Sequence, residues 1–376
     1  MPILVKAVSS KKEMKTFVRF GNRLYKESRY YVPSMPFDDM ATFDKGHNGA
    51  FAFSEAELYL AYKDGEVVGR VAAIINNKAN EAWSVKQVRF GWIDFIDDME
   101  VSGALLDAVI AFGRKHGMTQ IVGPLGFTDF DPEGMLVEGF DRISTMALIY
   151  NHPYYPEHMK KHGYIKETGW KEYRITIPEA LPEKYNRVAD LVHQKYNLRV
   201  RKFTTRQIRK TGYGRKFFHL INKTYCNLYG FSLLSDKQID DFVNVYLSLI
   251  DARMLTFIED ENGELIAAGV SMPSIAEALQ ICRGELFPFG WWHLLKAMFW
   301  KRSETLELLL IGVLPEWQRK GVVALLFQDL VKVYNKLGFK YAETNAMLED
   351  NMKIQSIFDS FEREVHQRRW VFGKEI

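Results

Sequence analysis

LPEWQRKGVVALLF, residues 314–327, sets a Gln-Arg-Lys-Gly turn between an apolar run and the start of an amphipathic stretch. Upstream, LELLLIGV reads as a buried strand, and Pro315 ends it because proline cannot donate to a central ladder. Downstream, Val322, Leu326, Leu330, Val333 and Leu337 recur at helical spacing, so a helix begins near Gly321. The first amides of such a helix lack intrahelical acceptors, and its dipole favours an anion there. Strand, glycine turn and helix in this order form the general arrangement for holding a phosphate or diphosphate. Arg319 and Lys320 add positive charge at the mouth.

The same order of elements occurs twice. AELYLAYKDGEVVGRVAAIIN (56–76) and RMLTFIEDENGELIAAGVS (253–271) each place an Asp-Gly or Asn-Gly pair between strand-patterned runs, the signature of a β-hairpin. Amphipathic helices are expected over 101–117 and 321–338, each closing on a glycine suited to a left-handed cap. Asn151 and Trp170 in one copy have the spacing of Asn351 and Trp370 in the other. The expected fold is therefore α/β, with two tandem domains, each a mixed sheet carrying helices on both faces. They span 1–177 and 196–376, and residues 178–195 form a proline-containing linker with a connecting helix.

The repeat supplies a control for the turn. Aligning Ala104-Leu105-Leu106 with Ala324-Leu325-Leu326 sets Asp98-Met99-Glu100-Val101 against Gln318-Arg319-Lys320-Gly321. Asp97, Asp98 and Glu100 are placed to cap their own helix and to repel a phosphate. Only the second domain is expected to keep an anion-binding loop.

A chain of 376 residues is longer than one core usually serves. Fifty Lys and Arg against 47 Asp and Glu leave a net charge of +3, too balanced for the whole-chain signature of a nucleic-acid binder. Two cysteines, Cys226 and Cys282, fit a reducing compartment, and the nine histidines show no metal-ligand spacing. No apolar run reaches the length of a membrane span. A cytoplasmic protein without a metal is expected.

The turn resembles the Gln/Arg-x-x-Gly-x-Gly/Ala loop of the GNAT superfamily of acyl-CoA-dependent N-acyltransferases, here Gln318-Arg319-Lys320-Gly321-Val322-Val323. The second half resembles that family throughout and the first resembles a degenerate copy, so the chain as a whole resembles a bacterial group of tandem GNAT proteins. The resemblance implies that the loop amides hold the pyrophosphate of acetyl-CoA or another acyl-CoA as co-substrate. It also implies that Ile311, Gly312 and Val313 pair with the pantetheine arm and that Asn351 contacts CoA. Tyr225, Tyr229 and Phe231 fall on the acceptor side by position. Two residues depart from the pattern. Val323 stands where the family has Gly or Ala, and Phe358 stands where it often has a tyrosine that protonates the leaving thiolate.

Aminolysis of a thioester needs a neutral amine, whereas a lysine-like amine of pKa about 10.4 is protonated near neutrality. A carboxylate base is the usual remedy, and Glu307 and Glu343 on the two strands flanking the turn are the available ones. The expected activity is thus acyl transfer from CoA to a small-molecule or peptide amine. The alternatives are a non-catalytic CoA-ligand or partner-binding protein, and a transferase drawing on aminoacyl-tRNA. The last would use RVRKFTTRQIRKTGYGRK (199–216), which holds eight cations and no acid. FPFGWWHLLKAMFWKR (287–302) is dense in aromatics before two cations, and reads as packing between domains, a substrate pocket, a dimer face or a membrane-surface contact.

Overall fold

The computed structural model describes residues 2–246 and 250–376. The first half runs β1 (Leu4–Ala7), α1 (Lys11–Leu24), α2 (Pro36–Thr42), β2 (Ser54–Lys63), β3 (Glu66–Asn76), α3 (Asn77–Trp83), β4 (Gln87–Phe95) and α4 (Met99–Lys115). It continues through β5 (Gln120–Gly123), β6 (Met135–Glu138), α5 (Tyr154–Lys161) and β7 (Ile165–Thr176). After α6 (Glu183–Tyr196), the second half runs β8 (Arg199–Arg201), α7 (Thr205–Thr211), α8 (Tyr213–Tyr225), α9 (Asp236–Tyr246), β9 (Leu255–Glu259), β10 (Leu265–Pro273), α10 (Ala276–Cys282) and α11 (Gly290–Phe299). It closes with β11 (Thr305–Val313), α12 (Val322–Leu337), β12 (Tyr341–Thr344), β13 (Met347–Leu348), α13 (Met352–Ser356) and β14 (Arg363–Glu375).

Both hairpins form at the expected dipeptides. Asp64 and Gly65 take positive φ at 54° and 83°, which lets Lys63 pair with Glu66 across two residues. Gly263 does so at 82° between β9 and β10, and the Asp260 carboxylate steadies that loop by accepting from the Asn262 and Glu264 amides at 2.9 Å. Gly117 and Gly338 end the two long helices with left-handed backbones.

The strands join one sheet in the order β1-β2-β3-β4-β5-β14-β7-β12-β11-β10-β9-β8, with β6 against β14 and β13 against β7. The halves are contiguous in sequence but not in the sheet, because their last strands are exchanged. β14, the C-terminal strand, pairs with β5 of the first half, and β7 of the first half pairs with β12 of the second. β7 and β14 run antiparallel at the seam, where the Glu172 carboxylate and the Arg369 guanidinium lie 2.5 Å apart with almost no solvent contact.

In the second half α12 covers one sheet face through Leu326, Leu330 and Val331 against Leu306 and Ile266, and α8 covers the other through Phe217, Leu220 and Ile221. The connecting helix α6 lies antiparallel beside α12. Asn335 Nδ2 donates to the Pro178 carbonyl at one end, and Val188 and Val192 meet Gly321 at the other.

Candidate functional site

The site is built where β11 parts from its parallel neighbour. β12 pairs with β11 from Thr305 to Leu308 only, and the Asn345 amide makes the last contact to the Leu308 carbonyl at 3.2 Å. β11 continues to Val313 against β10, with Leu309 as an extra residue between the Val270–Leu310 and Ser271–Leu308 pairs. Such a bulge re-aims the side chains that follow it. The edge beyond is partly occupied: the Tyr225 hydroxyl donates to the Ile311 carbonyl at 3.1 Å and accepts from the Ile311 amide at 3.4 Å. Tyr225 thus sits at the strand assigned to pantetheine, and the place of Gly312 is equally tight, since a Cβ there would stand 3.2 Å from Thr224 Oγ1.

The turn leaves the first amides of α12 without acceptors among the described residues, with Val188 and Val192 of α6 packed close to Gly321. Gly321 takes φ 78° and caps α12 without any side-chain hydrogen bond, and the amides of Gly321, Val322 and Val323 donate to no carbonyl among the described residues. Gln318 turns inward to donate to the Val313 carbonyl at 3.2 Å, and Arg319 stays exposed. Lys320 is drawn away from the mouth, its ammonium 4.1 Å from the Trp317 ring centre and 5.3 Å from that of Tyr196. Val322 is buried and Val323 half-buried, both held by packing around α12. At the matching helix of the first half, Asp98 caps α4 by accepting from the Glu100 amide at 2.9 Å and pairs with Lys63 at 2.6 Å, while Asp97 meets His158 at 3.0 Å.

Beneath this edge, Glu307 and Glu343 face each other as register partners on β11 and β12. Glu307 is 1% exposed; one oxygen accepts from the Ser274 hydroxyl at 2.9 Å and the other has no hydrogen-bond partner among the described residues. Burial pushes its pKa up to about 8 and the neighbouring Glu343 adds to the rise, while the Ser274 hydroxyl and the nearby Met146 backbone amide oppose it. Glu343 is pushed up by burial to about 7 against the pull of Arg174, whose guanidinium lies 2.5 Å away. An unpaired, dry carboxyl with a raised pKa is the form in which a carboxylate takes and gives protons near neutrality.

The seam between the halves carries a second acidic group. Asp129, Asp131 and Glu133, in the loop TDFDPEG after β5, lie near the buried Arg89, which donates to the Gly126 and Gly230 carbonyls at 3.1 and 3.2 Å. Asp129 and Glu133 keep some solvent contact yet are crowded by protein, and burial raises the pKa of both. Tyr229 leans on Trp170 from the other half with its hydroxyl buried and unpartnered, and Phe231 is buried against Tyr225. Three acids within five residues of a Pro/Gly loop between apolar runs were a usable sequence signal for this cluster. The backbone contact of Tyr225 had none.

Asn351 caps α13 by accepting from the Ile354 amide at 3.3 Å. Phe358 lies 5% exposed among Phe327 and Phe361, with no proton to supply. Of the basic stretch, Arg201 pairs with Glu259, Lys202 with Asp329, and Arg215 with Asp240. No group of three metal-ligating side chains occurs among the described residues.

No family model matches the chain. In sequence it is 26% identical over 384 residues to Protein YghO of Escherichia coli (strain K12), covering 99% of this chain and 95% of that protein. It is 24% identical over 369 residues to the bacterial ceramide synthase of Caulobacter vibrioides (strain NA1000 / CB15N), covering 94% and 92%. In structure it matches a tandem GNAT protein from the clavulanic acid biosynthesis pathway at TM-score 0.58 and 12% identity, over 99% of this chain and 98% of that one. A GCN5-related N-acetyltransferase from Sphaerobacter thermophilus matches at TM-score 0.51 and 11% identity, over 99% and 95%. The chain has the tandem GNAT fold.

Proposed function

We propose that this chain is an N-acyltransferase that moves an acyl group from acyl-CoA to an amine, with the chemistry in its second half. The carrying observation is Glu307, a buried carboxyl with a free oxygen, beneath a strand edge that leads to the uncapped N-terminus of α12. In its ionised form Glu307 accepts a proton from the acceptor ammonium, directly or through one water, freeing the lone pair that attacks the thioester carbonyl. The attacking nitrogen gives up its second proton to solvent as the carbon–sulfur bond breaks and the amide forms, and the CoA thiolate takes its proton from solvent, since Phe358 has none to give. Gly321, Val322 and Val323 offer three amides to the pyrophosphate, and Arg319 adds charge. Asn351 is assigned to CoA by its place at the head of α13. Tyr229 is assigned to the acceptor side, where Glu167 and Glu133 lie close enough to act on its hydroxyl.

The likeness to a ceramide synthase favours an amine borne on a lipid and a long acyl chain over acetyl. Two free cysteines, and no helix among the described residues long and apolar enough to cross a membrane, fit the proposed cytoplasmic location. The test is calorimetric titration with acetyl-CoA and palmitoyl-CoA, followed by thiol release with candidate amines. Binding weaker than about millimolar, an interaction of only about −4 kcal/mol, would sink the proposal.

A second reading is a non-catalytic binder of a CoA-like ligand. It is favoured by Phe358 in the core and by the Tyr225 hydroxyl on Ile311. CoA binding with no thiol release from any amine would select it.

A further inference from the structure

Within residues 287–302 the packing between the halves falls to Leu294, Ala297 and Met298, which share a core cluster with Val32, Met35 and Met146 of the first half, while the aromatic rings stay out of it. Phe287, Phe289 and Trp300 are 82%, 68% and 67% exposed, and Trp291 and Trp292 keep nearly half their surface in water. The tryptophans adjoin one another, with ring centres 6.0 Å apart for Trp291 and Trp292 and 5.7 Å for Trp292 and Trp300. At roughly 150–250 Å² per ring, the five make an apolar patch on the order of 600 Å². The sequence explains why it faces out. α11 is apolar on nearly all sides, and only Leu294, Ala297 and Met298 reach the core cluster formed with Met272, Ile275, Leu279 and Leu309.

We infer that this patch seats the protein on an anionic lipid surface, with α11 lying in the headgroup layer. Tryptophan prefers the membrane interface because its ring is apolar and its N–H remains polar. The charge along this stretch is complementary: His293, Lys296 and Lys301 lie among the aromatics in sequence and Arg283 just before them, Arg302 is spent on Asp251 at 3.2 Å, and no carboxylate occurs between Leu286 and Ser303. The acids flanking that interval are already paired, Glu285 with Arg19 and Glu304 with Lys340. A contact between copies would deplete lysine at its centre, whereas a helix lying on anionic lipid places cations beside its aromatics.

The location gives the surface a use. The inner side of α11 packs on Met272 and Leu309, and these residues flank Glu307 in the sheet, Met272 as its register partner. A lipid-borne amine or acyl chain leaving the bilayer at this patch would arrive one side-chain layer from the proposed base. The use as an entry rests on the proposed function; the lipid contact itself does not.

The test is flotation of the full chain with phosphatidylcholine vesicles and with vesicles of phosphatidylcholine and phosphatidylglycerol, without CoA or amine. The wild type should float with the anionic vesicles and only weakly with the neutral ones. Trp291→Ser/Trp292→Ser/Trp300→Ser, checked for an unchanged circular dichroism spectrum, should lose that capture. Lys296→Glu/Lys301→Glu, whose fold does not depend on the rings, should weaken it about tenfold or more. Wild type that floats with neither vesicle overturns the inference, as does undiminished capture of both variants. Gel filtration that shows a dimer split by the tryptophan variant, with no vesicle capture, overturns it in favour of a contact between copies. Because CoA titration does not need vesicles, loss of the lipid contact and loss of the proposed reaction are read separately.

Discussion

Glu307 and Glu343 stand opposite each other across the β11–β12 pair, and only Glu343 has a guanidinium within ion-pair distance among the described residues. The pair therefore divides its roles. Arg174 draws the proton from Glu343 first, at about 7, and the charge left there helps to keep the proton on Glu307 up to about 8. Glu307→Gln keeps the shape and removes the base, and should lower kcat by about a hundredfold with the apparent affinity for acyl-CoA unchanged. The wild-type rate should rise with pH through about 8, the value to which burial pushes Glu307, and the variant should lose that limb. A variant with the wild-type rate and pH profile would remove Glu307 from the chemistry.

The same carboxyl ties stability to pH. Its folded pKa lies above its unfolded value, so between about pH 4.5 and 8 the folded state holds a proton that the unfolded state has released. Stability from this group is fully present below about 4.5 and declines as pH rises through 8, by up to ~1.4 kcal/mol per pH unit. Glu307→Gln should flatten that decline and make the protein more stable than wild type at pH 9. Urea unfolding at pH 5, 7 and 9 measures the difference, and parallel curves for the two proteins would contradict it.

At the turn, Lys320 already rests on Trp317 and Tyr196, so Arg319 is the cation open to a phosphate. Arg319→Glu should weaken CoA binding more than Lys320→Glu, by about tenfold. Asp98→Arg/Glu100→Arg in the first half should leave it unchanged. Calorimetry on the three proteins checks the order, and equal losses would discard the asymmetry between the halves.

Tyr225 makes the clearest case of a residue whose part was hidden in the sequence. Its hydroxyl takes both backbone groups of Ile311 that a pantetheine amide would use. Tyr225→Phe removes a competing hydrogen bond of about 0.5–1.5 kcal/mol and should tighten CoA binding a few-fold. Unchanged or weaker binding would mean that the hydroxyl does not compete for that edge.

How much could be read in advance follows from the range of the forces. The hairpins at Asp64-Gly65 and Asn262-Gly263, the helix after Gly321 and the Asp98 cap are local, and their residues announce them. Glu307 was legible as a charge inside an apolar run, but its bare oxygen was not, because that depends on how Ser274, just beyond β10, engages the other oxygen. The bulge at Leu309 and the crowding of Asp129 and Glu133 arise from pairing and packing across long sequence separations. The exchange of β7 and β14 is of that kind too: either strand has the pattern to close its own half, and nothing in its residues marks the partner.

That exchange makes the buried Glu172–Arg369 pair a tie between the halves. Arg369 also donates to the Gln367 side chain at 3.0 Å and to Ser144 Oγ at 3.2 Å, and contacts the Ile149 carbonyl. Arg369→Leu leaves Glu172 charged in a dry site, so it should destabilise the protein by about 3–5 kcal/mol. Arg369→Leu/Glu172→Leu removes both charges and should recover a large share of that loss, because paired desolvation then disappears from both sides. Chemical denaturation of wild type, single and double variants measures the coupling. A double variant as unstable as the sum of its singles would show that the two side chains act independently and that the seam is held by the strand pairing alone.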